Sequence, residues 1–197
     1  MMNHSHHHNV SNVREKGRRS IRLKGYDYTC EGSFYITLCT NNGRCLFGRI
    51  VDGKMVLNEF GKIVRDQWLG IRKRFNNVKL DEFVVMPNHF HGIFHITPNN
   101  RPIIVGATLA VAHTGETGEK PPSVSDVVGA FKSLCVNRCL NWIKQNDTKR
   151  FFGKLWQRNY WEHIIRNDTE LKRIRRYIRN NPEQWEKDSL KKRETTI

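Results

Sequence analysis

The residues with the clearest chemical capacity are His89 and His91, in the run Met86-Pro87-Asn88-His89-Phe90-His91-Gly92-Ile93-Phe94-His95-Ile96. Side chains alternate faces along a strand, so the two imidazoles share one face and Phe90 takes the other. Two imidazoles on one face of a rigid strand can hold a metal ion. A mixed nitrogen and oxygen site would suit Mg²⁺ or Mn²⁺. His95 has the same parity and offers either a third imidazole or a core or surface residue. A second segment, Arg175-Arg176-Tyr177-Ile178-Arg179-Asn180-Asn181-Pro182, sets a tyrosine among cations. Asn181 follows one helical turn after Tyr177, which brings its amide oxygen near the phenol. A phenol with a pKa near ~10 is a poor nucleophile at neutral pH and needs activation. Cations favour the phenolate and bind phosphate, and a metal ion on a scissile phosphate serves as Lewis acid and template. Plainer roles stay open on this pattern alone. Tyr177 could be an amphipathic core-edge residue, Asn181 a helix C-terminal cap biased out of the α region by Pro182, and the arginines a solvated helix face.

The elements that must position these residues follow from periodicity. Ser33 to Thr40 is rich in β-branched and aromatic residues and predicts a strand. Cys45 to Val51 and Lys54 to Leu57 flank Asp52-Gly53, a hairpin signal. Asn58 can cap a helix whose apolar residues Phe60, Val64, Trp68, Ile71 and Phe75 recur at helical spacing. Glu82 to Ile96 predicts the histidine strand, with Pro87 marking an edge, bend or bulge. Residues 97–122 break the pattern as a loop insertion, with an apolar stretch from Ile103 to Ala112. A helix is predicted over Ser125 to Gln145, a strand over Tyr160 to Arg166, and a last helix from an Asn167/Glu170 capping pair to about Asn180, stopped by Pro182. Leu171, Ile174 and Ile178 form its buried stripe, with Tyr177 at the border. Strand, hairpin, helix, strand, helix, strand, helix predicts an α+β fold. It would be an antiparallel sheet of the ferredoxin-like or RNA-recognition type, with helices packed mainly on one face.

Length and composition bound the partner. At 197 residues the chain reads as one domain over 19–185, a disordered polar tail over 1–18 and a charged C-terminal tail over 186–197. The net charge of +15 favours a polyanion such as nucleic acid. The five cysteines contain no Cys-x-x-Cys pair, and Cys135 and Cys139 share a helix face as small buried hydrophobes rather than a zinc site. The odd cysteine count and the lack of a secretory segment point to the cytoplasm. No apolar run reaches the ~20 residues of a membrane span. The histidines of the first eight residues can bind metal adventitiously and stand apart from the site.

These motifs together resemble the single-tyrosine HUH transposases, specifically the REP-associated tyrosine transposase branch. The family pattern is His-hydrophobic-His on a central strand and Tyr-x-x-x-Asn-Pro on a late helix, met here by His89-Phe90-His91 and by Tyr177 to Pro182. Arg19 to Tyr28, Met86-Pro87-Asn88-His89, Phe131-Lys132-Ser133 and Trp156 to Arg166 are also similar to the family, so the resemblance spans about residues 19–185. It implies a metal-dependent single-stranded DNA nuclease and strand transferase. Tyr177 would be the nucleophile, leaving a 5′-phosphotyrosine link and a free 3′-OH. His89, His91 and Asn181 would hold the divalent ion. It implies hairpin-forming repeats as substrate, activity at a bacterial nucleoid, and either a monomer or a homodimer. Candidate DNA contacts are Arg19, Arg22 and Lys24 on a basic arm, with Lys132, Arg158, Arg173 and Arg176. Exposed aromatics could stack on bases, although Trp142 and Trp156 read as core. His163 would support the site or fill the sheet. Two other readings use the same residues: a non-catalytic, domesticated nucleic-acid-binding module, and a zinc-dependent hydrolase. The hydrolase is disfavoured because no Asp or Glu general base stands near the histidine strand.

Overall fold

The computed structural model describes residues 31–97, 122–146 and 153–191, together with the backbone of 103–105 and 108–110. The tail over 1–18 and the arm residues Arg19, Arg22 and Lys24 lie outside the described residues. The aromatic and β-branched run from Gly32 to Cys39 forms β1. Two short strands follow, β2 (Gly48–Val51) and β3 (Lys54–Leu57). They meet at Asp52-Gly53, both at positive φ, as a tight hairpin turn requires. The Asn58 side chain accepts from the Gly61 N–H and starts α1 (Glu59–Arg74). Then come β4 (Val78–Val85), β5 (His89–Ile96), the short pair β6 (Ile103–Val105) and β7 (Thr108–Ala110), and α2 (Val124–Gln145), capped by a Ser123/Asp126 box. β8 (Trp161–Ile165) and α3 (Asp168–Asn180) complete the order.

Where the pattern predicts one strand over 82–96, the chain instead reverses at Pro87-Asn88. Proline has no N–H for the ladder, and the Met86 N–H donates to the His89 carbonyl across the turn at 2.8 Å. The histidine strand is thereby a complete eight-residue strand in the middle of the sheet. The sheet order is β4-β5-β1-β8, antiparallel throughout. With the β2–β3 hairpin and the β6–β7 pair set aside, the chain runs β-α-β-β-α-β, the expected ferredoxin-like arrangement.

The two faces of the sheet do different things. Phe34, Ile36, Leu38, Phe90 and Phe94 pack against α1 and α2. Trp68 of α1 is fully buried there, 4.9 Å from the Phe90 ring and 5.1 Å from Phe131 of α2. Gly92 leaves room for these rings, since a Cβ on it would lie 2.7 Å from Phe90 and 3.0 Å from Trp68. The opposite face carries a smaller cluster, in which Tyr35, Ile93 and Ile165 meet Ile174 and Ile178 of α3. Burying each of these two isoleucines contributes about 1.5–3 kcal/mol. Of the described helices α1 and α2 therefore cover one face, and α3 packs on the face that holds the histidines.

A bulge in β4 fastens α3 to the sheet. Leu80 opposes Phe94 and Phe83 opposes Gly92, so Asp81 and Glu82 together face the single residue Ile93. Both carboxylates then reach α3. Asp81 accepts from Arg175 Nε at 2.9 Å and from its Nη2 at 2.5 Å, and Glu82 accepts from Arg179 Nε at 2.8 Å. Burial raises the Asp81 pKa, but the hydrogen bonds from Arg175 and His95 outweigh it and hold the carboxyl at about 2.

Candidate active site

β5 places His89 opposite Cys39 and His91 opposite Thr37, both on the α3 face and both buried. The rings are 4.5 Å apart. Each is held by its Nδ1. For His89 the partner is Asn88 Oδ1 at 2.8 Å. The Asn88 amide donates to the carbonyls of Gly43 and Leu190, so its oxygen must be the atom facing His89. His89 Nδ1 therefore carries the proton and Nε2 presents a lone pair. His91 Nδ1 lies 2.8 Å from the Tyr35 hydroxyl and 2.9 Å from Thr37 Oγ1. Burial pushes the His89 pKa down to about 4 and that of His91 well below its ordinary value. Two neutral imidazoles, each oriented through Nδ1, are the form that binds metal.

α3 brings Tyr177 and Asn181 to this pair. The Tyr177 ring lies 5.4 Å from His91 and 6.4 Å from Tyr35, and is 43 % exposed. Asn181 is buried beneath it. Contrary to the expected bias before proline, Asn181 keeps helical angles (φ −57°, ψ −43°). The turn continues beyond it, with the Gln184 N–H donating to the Asn180 and Asn181 carbonyls, and this holds the amide in phase with Tyr177. Burial raises the Tyr177 pKa, the Asp188 carboxylate adds to the rise, and the Asn181 amide partly offsets it. The cations do less for the phenol than the sequence suggests, because Arg175 and Arg179 are committed to Asp81 and Glu82.

The residues fit a metal ion on one observation. His89 Nε2, His91 Nε2 and Asn181 Oδ1 are all buried without a hydrogen-bond partner. Such groups cost about 1–3 kcal/mol each when left unmet. Among the described residues no three His, Cys, Asp or Glu side chains form a metal-holding group, so an ion here needs the Asn181 amide. His95 stands apart from the pair, with Nδ1 on Ser33 Oγ at 2.7 Å and Nε2 on Asp81 at 2.9 Å.

A cleft of about 860 Å³ opens over Tyr177. Tyr35, Thr37, Trp161, His163 and Arg173 are among its lining residues. Trp161 is 43 % exposed and stacks on His163 with centroids 5.7 Å apart and planes 4° apart. His163 is fixed by Glu170 at 2.7 Å, so it supports the cleft wall. Of the candidate DNA contacts, Arg173 lines the cleft and pairs with Glu170 at 3.6 Å, while Arg158 and Arg176 are exposed. Lys132 donates to the carbonyls of Gln157 and Arg158 at 2.6 and 3.1 Å, which gives it a structural task at the cleft edge. Trp156 is core, as expected, and Trp142 is partly buried and packs against the core.

Sequence reasoning missed several residues that the structure brings here. Asn88, Tyr35 and Thr37 orient the histidines. Their signal was available in strand parity and in the segment Met86-Pro87-Asn88-His89. Asp188 had no local signal. It lies in the segment expected to be a charged tail, yet Trp185 is buried beside His89, with ring centroids 6.1 Å apart, and residues up to Lys191 follow the site. The carboxylate that the sequence lacked near the histidine strand is thus supplied from beyond the last helix, Asp188 Oδ2 lying 3.6 Å from His89 Nε2.

The fold is shared with a solved protein. A REP-associated tyrosine transposase, solved bound to a REP hairpin, matches at a TM-score of 0.52 and 18 % identity. The match covers 82 % of this chain and 73 % of that one. No helix among the described residues is long and apolar enough to cross a membrane. No protein-family model matches the chain. A Haemophilus influenzae protein, described only as an uncharacterized protein, is 41 % identical over 179 residues, covering 88 % of this chain and 92 % of that protein. The chain belongs to the same family as that Haemophilus influenzae protein.

Proposed function

We propose that this chain is a transposase-like, metal-dependent nuclease and strand transferase acting on single-stranded, hairpin-forming DNA. The observation that carries this reading is the meeting of Tyr177 with the buried His89–His91 pair, whose Nε2 atoms have no partner. The shared fold supports it, since the matched protein is a tyrosine transposase bound to a REP hairpin. The net charge of +15 agrees with a nucleic-acid partner.

His89, His91 and Asn181 would hold Mg²⁺ or Mn²⁺. When bound, such an ion supplies Lewis-acid polarisation of the scissile phosphate and favours the phenolate. The chain's own residues do the rest. Asn88, Tyr35 and Thr37 hold both rings by Nδ1 and leave both Nε2 atoms without a hydrogen-bond partner. Packing of Ile174 and Ile178 fixes α3, so the half-exposed Tyr177 hydroxyl can meet a strand entering the cleft. Tyr177 Oη forms a bond to phosphorus, the P–O3′ bond breaks, and the 3′-oxygen leaves as a hydroxyl with the proton the phenol gives up. Attack by another 3′-OH reverses the step and joins strands with no external energy. Arg173, Arg158 and Arg176 would meet backbone phosphates, and Trp161 offers a face for an unstacked base. The protein would act as a monomer or homodimer at the bacterial nucleoid.

The test is a denaturing gel with labelled single-stranded hairpins from the gene's own flanks, each with Mg²⁺, Mn²⁺ or EDTA. The reading expects a metal-dependent protein–DNA adduct in wild type and none in Tyr177→Phe, with hairpin binding retained. Tight binding by wild type with no adduct under any metal would favour the non-catalytic module instead.

A further inference from the structure

A second, smaller pocket adjoins the cleft. It encloses about 390 Å³ between α2 and residues 153–158. That segment is fastened at several points. Leu155 and Trp156 are buried, and the Trp156 ring centre lies 5.2 Å from that of Phe47. The Asn41 N–H donates to the Leu155 carbonyl and the Gln157 N–H to the Cys39 carbonyl, both at 2.9 Å, so backbone pairing continues past the end of β1. Lys132 then ties the segment to α2 through the Gln157 and Arg158 carbonyls. Those bonds use two of the three N–H donors of its ammonium.

The lining is basic and polar. Lys154 and Arg158 are exposed, as are Ser133 and Asn137, one helical turn apart on α2. Lys132, Lys154 and Arg158 line the pocket, and among the described residues no carboxylate does. On α3, by contrast, Arg173, Arg175 and Arg179 are each paired with a carboxylate. Cations with no carboxylate among them, beside a hydroxyl and an amide, suit the oxygens of a phosphate. Gln157 lines both this pocket and the cleft over Tyr177, so the two share a wall. We infer that the pocket holds backbone phosphate of the single strand as it runs out of the Tyr177 cleft, with Lys154 and Arg158 as the residues that meet it. This rests on the DNA reading of the proposed function and deepens it, because it adds Lys154 and routes the strand beyond the cleft along residues 153–158 toward α2.

The test is fluorescence anisotropy of labelled oligothymidine with the full chain, in EDTA, over a range of salt. Phosphate contacts carry no base information, so this probe reads them without a cognate hairpin. The pocket variant is Lys154→Gln/Arg158→Gln. The control, Arg72→Gln/Lys73→Gln, removes the same charge from the last turn of α1, which leads to β4 at the other edge of the sheet. Lys132 stays in place because its bonds hold the segment. On single strands each phosphate contact contributes about 0.7 to the slope of log K against log salt. The pocket variant should lose about 1.4 of slope, or roughly 25-fold in affinity at about 0.1 M salt relative to a 1 M reference. The control should keep the wild-type slope, and both variants should melt as wild type does, since all four side chains are exposed. An unchanged slope in the pocket variant, or equal losses in the two variants, would overturn the pocket and leave DNA binding by the chain standing. Failure of wild type to bind either oligothymidine or a flank hairpin would overturn both. The readout needs neither metal nor Tyr177, so a failure of the cleavage chemistry would not imitate either result.

Discussion

Acid should destabilise the metal-free protein through its two buried histidines. The His89 pKa falls from 6.5 to about 4 because burial disfavours the imidazolium. His91 moves in the same direction, chiefly through burial and then through the nearby His89. The folded pKa lies below the unfolded one, so as pH falls the unfolded chain takes up these protons first. The stability is complete above pH ~6.5 and is lost as pH drops toward ~4. At about 1.4 kcal/mol per pH unit, the His89 shift alone amounts to roughly 3 kcal/mol over that window. By pH 4.5 a loss of about 2–3 kcal/mol should appear, or about 5–10 °C in Tm for a chain of this size. Asp81, held at about 2, titrates below this window and does not confuse it. The assay is urea unfolding in EDTA at pH 7.5 and pH 4.5, for wild type and a His89→Gln/His91→Gln variant. The double variant should lose most of the pH dependence. Equal acid sensitivity in the two proteins, or a flat response in wild type, would refute the neutral, buried state of the pair.

Tyr35→Phe removes a hydroxyl from His91 Nδ1 while keeping the ring's packing, with Thr37 as the remaining partner. Mn²⁺ affinity should fall by about tenfold, measured by calorimetry, with little change in melting. Asp81→Asn loses the paired contacts with Arg175 that tie α3 to β4, and should destabilise the protein by about 2 kcal/mol in urea titrations. Gly92→Ala forces a methyl against Phe90 and Trp68 and should cost about 1–3 kcal/mol, read from the same titrations.

The site was legible in the sequence wherever a local period carried it. Alternation put His89 and His91 on one face, and a single helical turn joined Tyr177 to Asn181, with Ile174 and Ile178 as the stripe beneath. Asn58 and Asn167 each cap a helix, as their positions ahead of apolar periodic runs suggest, whereas Ser123 caps α2 ahead of the expected start at Ser125. Features that depend on distant chain segments were not legible. Pro87 reads as a bend in one strand, and only pairing with β1 on the far side makes it the turn between two. The acidic pair Asp81-Glu82 carries no local signal of its role, which depends on the bulge that turns both toward arginines on α3. Nothing local distinguishes Asp188 from its charged neighbours, because its role depends on Trp185 and Leu190 docking beside His89. Likewise, an apolar stripe on α3 does not say which face of the sheet it will cover.

The most direct measurement is tandem mass spectrometry on the adduct from a reaction with Mn²⁺ and a hairpin oligonucleotide, digested to peptides and mononucleotide. Tyr35 and Tyr160 also line the cleft, so the position of the modification discriminates among three phenols. The account predicts a phosphotyrosine-linked nucleotide on Tyr177 and nowhere else. A nucleotide on Tyr35 or Tyr160, or an adduct persisting in Tyr177→Phe, would contradict it.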